Sequence, residues 1–110
     1  MRIWDISPSF LCRQHLLGEH RELHAIWSVI TKNKKSYSRH PETLRWVGKL
    51  KALFLRHEML VLEMKKRGYK HISNLDKKLA NGDIIQKNYI NSIAEQKDIL
   101  RKKSCECFKS

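Results

Sequence analysis

The strongest constraint on the fold is a stripe of apolar residues that recurs at helical spacing between residues 46 and 64. The side chains on this face are Trp46, Leu50, Leu53, Phe54, His57, Leu60, Val61 and Met64. Such spacing presents one apolar face to a core. Pro41 suits a first helical turn and Gly68 suits a helix end, so the pattern predicts one long helix between these two residues.

A second stripe predicts a helix from Ser9 to about Thr31. Its apolar residues are Cys12, Leu16, Leu23, Ile26, Trp27 and Ile30. Residues 1–8 are expected to form an extended segment that ends near Ser7 and Pro8, a pair typical of a helix start. Residues 32–40 contain several cations and no apolar run, which indicates a solvated basic loop.

The last third of the chain has weaker patterns. They predict a short helix around Leu75–Leu79, a turn at Asn81-Gly82, and a last helix from about Lys87 to Lys103. The apolar side of that last helix would contain Ile90, Ile93, Ala94 and Leu100. No alternating strand pattern of useful length is present. We therefore expect an all-α single domain over residues 1–110, with three main helices, one short helix and an extended amino-terminal segment.

The charge balance indicates the class of partner. There are 23 Lys and Arg residues against 11 Asp and Glu, which gives a formal net charge of +12. Nucleic acid is the first candidate partner, because each neutralised phosphate releases counterions, and an anionic membrane surface is the second. No run approaches the roughly 18 apolar residues of a spanning helix, and no secretory signal is evident. We expect a cytoplasmic protein, on the nucleoid when bound to DNA, without a membrane partner.

The common catalytic signatures are missing. An odd number of cysteines suits no closed disulfide framework, and the Cys-x-Cys pair in the tail lacks a second ligand pair for zinc. There is no glycine-rich phosphate loop and no G-x-S-x-G motif. His15, Glu19 and Glu22 could bind a metal together, but such sets occur on helices by chance. We predict no metal and no cofactor. The candidate nucleophiles are Cys12, a lysine and the amino-terminal amine.

One carboxylate of the first predicted helix lies beside the apolar face on a helical wheel. Glu22 adjoins the small residues Gly18 and Ala25 and follows Arg21, so its side chain should be partly desolvated yet reachable. This setting can tune a carboxylate for catalysis. The alternative is an ordinary ion-paired glutamate. Glu19 lies nearer the centre of the apolar face, where the pattern gives no partner for it.

The chain contains three segments that belong together in one known motif. They are MRI at 1–3, QHLLGEHREL at 14–23 and KLKALFLRHEMLVLEMKKRGY at 49–69. Together they resemble the pyrimidine-dimer DNA glycosylases, the phage-type endonuclease V family, which is small, basic and all-helical. The resemblance implies a DNA repair enzyme that removes a damaged base through a Schiff base. It also implies an abasic-site lyase activity that breaks the strand by β-elimination.

The resemblance also implies roles for individual residues. The nucleophile is the α-amino group of Met1, and the essential carboxylate is Glu22. The residues matched to the scissile site and to the DNA-facing pocket are Arg2, Arg21, Gln14 and His15. Further DNA contacts are expected from His57, Lys65, Lys66, Arg67, Lys70 and the cations of residues 32–39. The tail KKSCECFKS replaces the aromatic tail of the family, which leaves the preferred lesion open.

Two other functions fit the composition. A non-catalytic helical nucleic-acid-binding module would bind DNA in a salt-sensitive way without cleaving it, and Glu22 would only pair with nearby cations. A helical protein-interaction domain would instead bind its partner tightly at high salt. For the enzyme we expect damaged double-stranded DNA as the partner and a monomeric protein.

Overall fold

Helices form all the regular structure in the described part of the chain. The computed structural model describes residues 2–35, 39–70, 73–103 and 107. Its helices are α1 (Arg13–Thr31), α2 (Pro41–Leu44), α3 (Leu50–Lys66) and α4 (Ile93–Arg101), with 3₁₀ turns at Pro8–Phe10 and Lys77–Leu79. No strand occurs among these residues, so the prediction of an all-α fold is confirmed. None of the described helices has the length and apolar character needed to cross a membrane.

The first helix begins later than predicted. Pro8–Phe10 form a 3₁₀ turn, the backbone is extended at Leu11 and Cys12, and α1 begins at Arg13 instead of Ser9. The guanidinium of Arg67 donates hydrogen bonds to the carbonyl oxygens of Pro8 (3.2 Å) and Leu11 (2.7 Å). These carbonyls are therefore satisfied without a helix, which the apolar spacing could not reveal.

The second predicted helix is two helices. Its Pro41 end forms the single turn α2, and the chain then turns before α3 begins at Leu50. Gly48 lies in this turn with φ +76°, a conformation that favours glycine and ends a helical path. A single helix from Pro41 to Gly68 was therefore wrong, although the apolar face between Leu50 and Met64 is buried as predicted.

The predicted turn at Asn81-Gly82 lies against the start of α3. The backbone N–H groups of Lys51 and Ala52 donate to the carbonyl oxygens of Asn81 (2.7 Å) and Asp83 (3.0 Å). These bonds satisfy N–H groups that the first helical turn leaves without a partner in the helix. Gly82 has φ +84°, and a Cβ there would overlap the carbonyl oxygen of Gly48. This position therefore requires glycine.

The carboxyl-terminal elements are shorter than predicted. The short helix around Leu75–Leu79 is a 3₁₀ turn, Lys77–Leu79. The last helix begins at Ile93 instead of Lys87, because Ser92 and Glu95 form a capping box at this point. The preceding residues, including Ile90 with 54 % of its surface exposed, lie outside the core.

The core lies between α1 and α3, which run antiparallel. Early residues of α1 face late residues of α3: the Arg13 guanidinium lies over the Tyr69 ring just past α3, and Trp27 contacts Phe54 near its start. The buried apolar cluster between the elements contains Ile3, Trp4, Ile6, Leu11, Cys12, Leu16, Leu23, Ile26, Trp27, Trp46, Leu50, Ala52, Leu53, Leu60, Met64, Leu100 and Cys107. The predicted extended segment thus contributes Ile3, Trp4 and Ile6 to the core, and this fixes these residues beside α1.

Candidate active site

A buried ion pair attaches the amino-terminal segment to α1. Glu19 is only 2 % exposed, and its carboxylate accepts hydrogen bonds from Arg56 Nε (2.7 Å), Arg56 Nη2 (3.0 Å) and the backbone N–H of Trp4 (3.1 Å). The same guanidinium donates to the carbonyl oxygen of Ile6 (2.7 Å). Glu19, which the sequence pattern left unexplained, therefore connects α1, α3 and the amino-terminal segment.

The Glu19 carboxyl experiences two opposing effects. Burial raises its pKa, and the charge and hydrogen bonds of Arg56 act in the opposite direction. The short bidentate contact is the geometry in which an arginine best stabilises a carboxylate. The pair is therefore ionised and structural.

A second buried network fixes the residues next to the amino terminus. Arg45 donates to the carbonyl oxygen of Ile3 (2.9 Å), to both oxygens of Asp5 (2.9 and 3.1 Å) and to Glu42 (2.6 Å). Gln96 of α4 accepts from the Asp5 backbone N–H (2.7 Å) and donates to its side chain (3.0 Å). Residues 3–6 are therefore held from both sides, so the position of Arg2 relative to α1 is well defined.

Beside this segment is a cleft of about 520 Å³, the amino-terminal cleft. Its lining residues are Arg2, Trp4, Gln14, His15, Gly18, Glu19, Arg21, Glu22 and Lys103. Five residues that the sequence predicted for the site lie here together: Arg2, Gln14, His15, Arg21 and Glu22. Arg2 comes from the amino-terminal segment and the other four come from α1, and they meet because the segment packs against this helix.

Glu22 is the reachable carboxylate of this cleft. It is half-buried, whereas Glu19 is buried and bound to Arg56. Three cations, Arg2, Arg21 and Lys103, line the same space. The arrangement can attract a phosphate backbone while it presents one carboxylate to a group bound there.

The aromatic and small residues shape this cleft. The Arg2 guanidinium lies 4.8 Å from the centroid of the Trp4 ring, and His15 meets the same ring edge-on at 6.0 Å. Burial, with a smaller contribution from Lys103, lowers the pKa of His15, so the neutral imidazole is favoured. A Cβ at Gly18 would meet nothing within 4 Å, so packing within the protein does not require glycine there.

Four other predicted DNA contacts lie outside the amino-terminal cleft. Lys65 and Lys66 are exposed in the last turn of α3. Arg67 is engaged by Glu63 (2.9 Å) and by the carbonyl oxygens before α1. His57 is fully buried between α1 and α3, so the expectation that it contacts DNA directly does not agree with its position in the core.

Some of the predictions concern residues outside the described ranges. Met1, the predicted nucleophile, lies outside, although its neighbour Arg2 lines the cleft. Residues 36–38 of the predicted basic loop are also outside. The described loop cations Lys32, Lys34, Lys35 and Arg39 are exposed, as is Lys70.

On the other side of Arg21 lies a feature that the sequence analysis missed. A second cleft of about 830 Å³, the histidine cleft, is lined by Arg13, Leu17, His20, Arg21, His24, Met64, Gly68, Tyr69, Lys70 and Ser73. His20 and His24 meet the buried His57 there. The sequence shows that His20 and His24 are one helical turn apart and so share a side of α1. Only the packing of α3 against α1 brings His57 to the same place.

Comparison with known proteins agrees with the motif analysis. Residues 1–77 match a family model described as pyrimidine dimer DNA glycosylase, which confirms the resemblance. No curated protein and no solved structure gives a significant match. The matched range contains α1, α2, α3 and every residue that lines the amino-terminal cleft except Lys103.

Proposed function

Since the chain belongs to the pyrimidine dimer DNA glycosylase family, we propose that it excises a base from pyrimidine-dimer DNA and then cleaves the strand at the abasic site. The substrate is damaged double-stranded DNA. One observation supports this most: Arg2, Gln14, His15, Arg21 and Glu22 line one cleft beside the amino-terminal segment.

The nucleophile of this reaction is the α-amine of Met1. An α-amine has an unperturbed pKa of about 7.7 to 8.0, so a useful neutral fraction exists near pH 7, unlike for a lysine. Positive charge on Arg2 and Arg21 favours the neutral amine further, because a second cation nearby is unfavourable. The amine must be free of a formyl group to react.

The covalent chemistry proceeds in three steps. The amine attacks C1′ and loses a proton, the bond from C1′ to the base breaks, and the base separates from the sugar with the electron pair and takes up a proton. The sugar ring then opens as the C1′–N bond becomes an imine, and the ring oxygen takes a proton. Finally a base removes a proton from C2′, and the 3′ phosphate leaves with its electron pair.

Glu22 is the group that moves protons in these steps. Its carboxylate also stabilises the positive charge that develops on the sugar when the base departs. Gln14 and His15 contribute polar contacts in the cleft, and the cations of α3 and of the basic loop contact phosphates. To reach C1′ a nucleotide must leave the stack, which costs least for a damaged base.

The space beside Glu22 is consistent with this proposal. Gly18 leaves room there for close approach of DNA, and packing within the protein does not require a glycine at this position. We propose that the enzyme acts as a monomer.

Borohydride trapping tests the proposal. Deformylated protein is incubated with ultraviolet-irradiated duplex and, separately, with abasic duplex, and the covalent adduct is quantified. We expect an adduct on both, loss of the adduct when the amino terminus is acetylated, and a decrease of about 100-fold or more for Glu22→Gln. An adduct on abasic DNA alone would limit the activity to the lyase step.

Glu95→Gln is the matched control. It removes one negative charge from an exposed helical glutamate, and glutamine retains the capping box of α4. Its trapping should equal that of the unmodified chain. Salt-sensitive DNA binding with no adduct and no strand cleavage would contradict the proposal and indicate a non-catalytic binding module.

A further inference from the structure

Three histidines meet between α1 and α3, apart from the amino-terminal cleft. His20 and His24 lie one turn apart on α1, and His57 faces them from α3. The ring centroids are separated by 4.6, 4.9 and 5.1 Å, and one nitrogen from each ring lies within 4.8 Å of the others. Imidazole nitrogens at such separations can bind one ion in common.

The surroundings of His57 resemble those of a metal ligand. Its Nδ1 lies 3.1 Å from a carboxylate oxygen of Glu58, which can only accept, so Nδ1 carries the hydrogen. Histidines that bind metals through one nitrogen usually donate the other N–H to a carboxylate in this way. The other ring nitrogen, Nε2, faces the cluster.

The nitrogens of His57 and His24 lie close together, beside one backbone carbonyl. His57 Nε2 lies 3.0 Å from the Ser73 carbonyl oxygen and 3.1 Å from His24 Nε2, and His24 Nε2 lies 3.2 Å from the same carbonyl. Two imidazole nitrogens at this separation can bind the same metal ion.

We propose that His20, His24 and His57 bind a divalent transition-metal ion, with Zn²⁺ as the ion that three imidazoles suit best. None of the described residues that line the histidine cleft carries a carboxylate, so the donor set disfavours Mg²⁺ and Ca²⁺. His20 and His24 line this cleft, so a fourth coordination position would face it. The cations Arg13, Arg21 and Lys70 favour an anionic oxygen there, such as a phosphate oxygen.

A second cluster on α1 must be distinguished from this one. Cys12, His15 and Cys107 also bring potential ligand atoms within 4.8 Å of one another, with His15 Nδ1 at 3.1 Å from Cys12 Sγ and 3.3 Å from Cys107 Sγ. Thiolate ligands would leave a spectroscopic signature that imidazoles do not. The test therefore uses Co²⁺ as well as Zn²⁺.

Metal titration of the full chain without an affinity tag and without DNA tests the proposal. We expect one equivalent of Zn²⁺ to bind, and Co²⁺ to give visible d–d bands without a thiolate charge-transfer band. His20→Gln and His24→Gln should each weaken binding more than tenfold, and Glu58→Gln by about 10-fold to 100-fold through the orientation of His57. Because no DNA is present, the result is independent of the proposed enzymatic activity.

The matched control is the double variant Cys12→Ser and Cys107→Ser, which should retain the Zn²⁺ affinity. Circular dichroism verifies that each variant is folded. His20 and His24 are changed instead of His57 because they are half-buried, whereas His57 is fully buried and its substitution would disturb the core. The absence of saturable Zn²⁺ binding would overturn the proposal. Binding that disappears in the cysteine variant and persists in His24→Gln would overturn it as well.

Discussion

The amino-terminal cleft and the histidine cleft lie on either side of Arg21, which lines both, yet they differ in chemistry. The first contains a reachable carboxylate, Glu22, among cations. The second contains imidazoles and cations, without a carboxylate among the described residues that line it. One helix can supply both sets because residues 18 and 22 lie on a different side of α1 from residues 20 and 24. The amino-terminal cleft therefore suits proton transfer, whereas the histidine cleft suits the binding of a ligand.

The largest expected effect tests whether the two carboxylates of the amino-terminal cleft differ as the structure indicates. Glu19→Gln should lower the free energy of unfolding by about 3 to 5 kcal/mol, because Arg56 would remain buried without its anion. Glu22→Gln should change it by less than about 0.5 kcal/mol. Urea denaturation measures both. Equal effects of the two substitutions would remove the distinction.

A smaller effect of opposite sign is expected at Gly18. Gly18→Ala should raise the free energy of unfolding by about 0.8 to 1.0 kcal/mol, since alanine favours helix and the new methyl group meets nothing within 4 Å. The same methyl group lies in the amino-terminal cleft, so strand cleavage should slow. Ser28→Ala, on α1 but lining neither cleft, serves as a control that should leave cleavage unchanged. Unchanged cleavage by Gly18→Ala would show that DNA does not approach this position.

Arg21 lines both clefts, and its substitution tests whether DNA contacts the surface between them. A plot of log affinity against log salt concentration has a negative slope. Arg21→Gln should make this slope less steep by about 0.9, which corresponds to the loss of one phosphate contact. Lys87→Gln removes the same charge from an exposed lysine that lines neither cleft, and its slope should be unchanged. Fluorescence anisotropy at several salt concentrations gives the slopes. An identical change in both variants would indicate only a general effect of net charge.

The smallest effect is the protonation of His15. Burial lowers its folded-state pKa below the usual value of about 6.5, so the unfolded state binds the proton more readily. The contribution of His15 to stability is therefore complete above about pH 6.5 and is lost as the pH falls toward the folded-state pKa. NMR titration of the ring should give a midpoint below 6.5. His15→Gln should make the stability less dependent on pH in this range, and a midpoint at or above 6.5 would contradict the assignment.

Local rules account for the parts of the fold that the sequence predicted. The apolar spacing between Leu50 and Met64 and between Leu16 and Trp27 describes the buried faces of α3 and α1, because helical periodicity depends only on neighbouring residues. The start of α1, the break at Gly48 and the start of α4 were missed. The start of α1 depends on a contact outside that helix, the bonds from Arg67 to the Pro8 and Leu11 carbonyls. The break at Gly48 and the start of α4 have local causes, a positive φ and a capping box, which apolar spacing does not reveal.

The sequence by itself determined the family, the all-α class, the basic charge and five of the residues that line the amino-terminal cleft, since these depend on residue identity and on spacing along the chain. Only the tertiary structure decided what Glu19 does and which histidines meet. Arg56 is 37 residues from Glu19, and His57 is 33 residues from His24. No local pattern specifies such pairs. They follow from the antiparallel packing of α1 and α3. This packing excludes water, and a buried polar group without a hydrogen-bond partner would destabilise the fold.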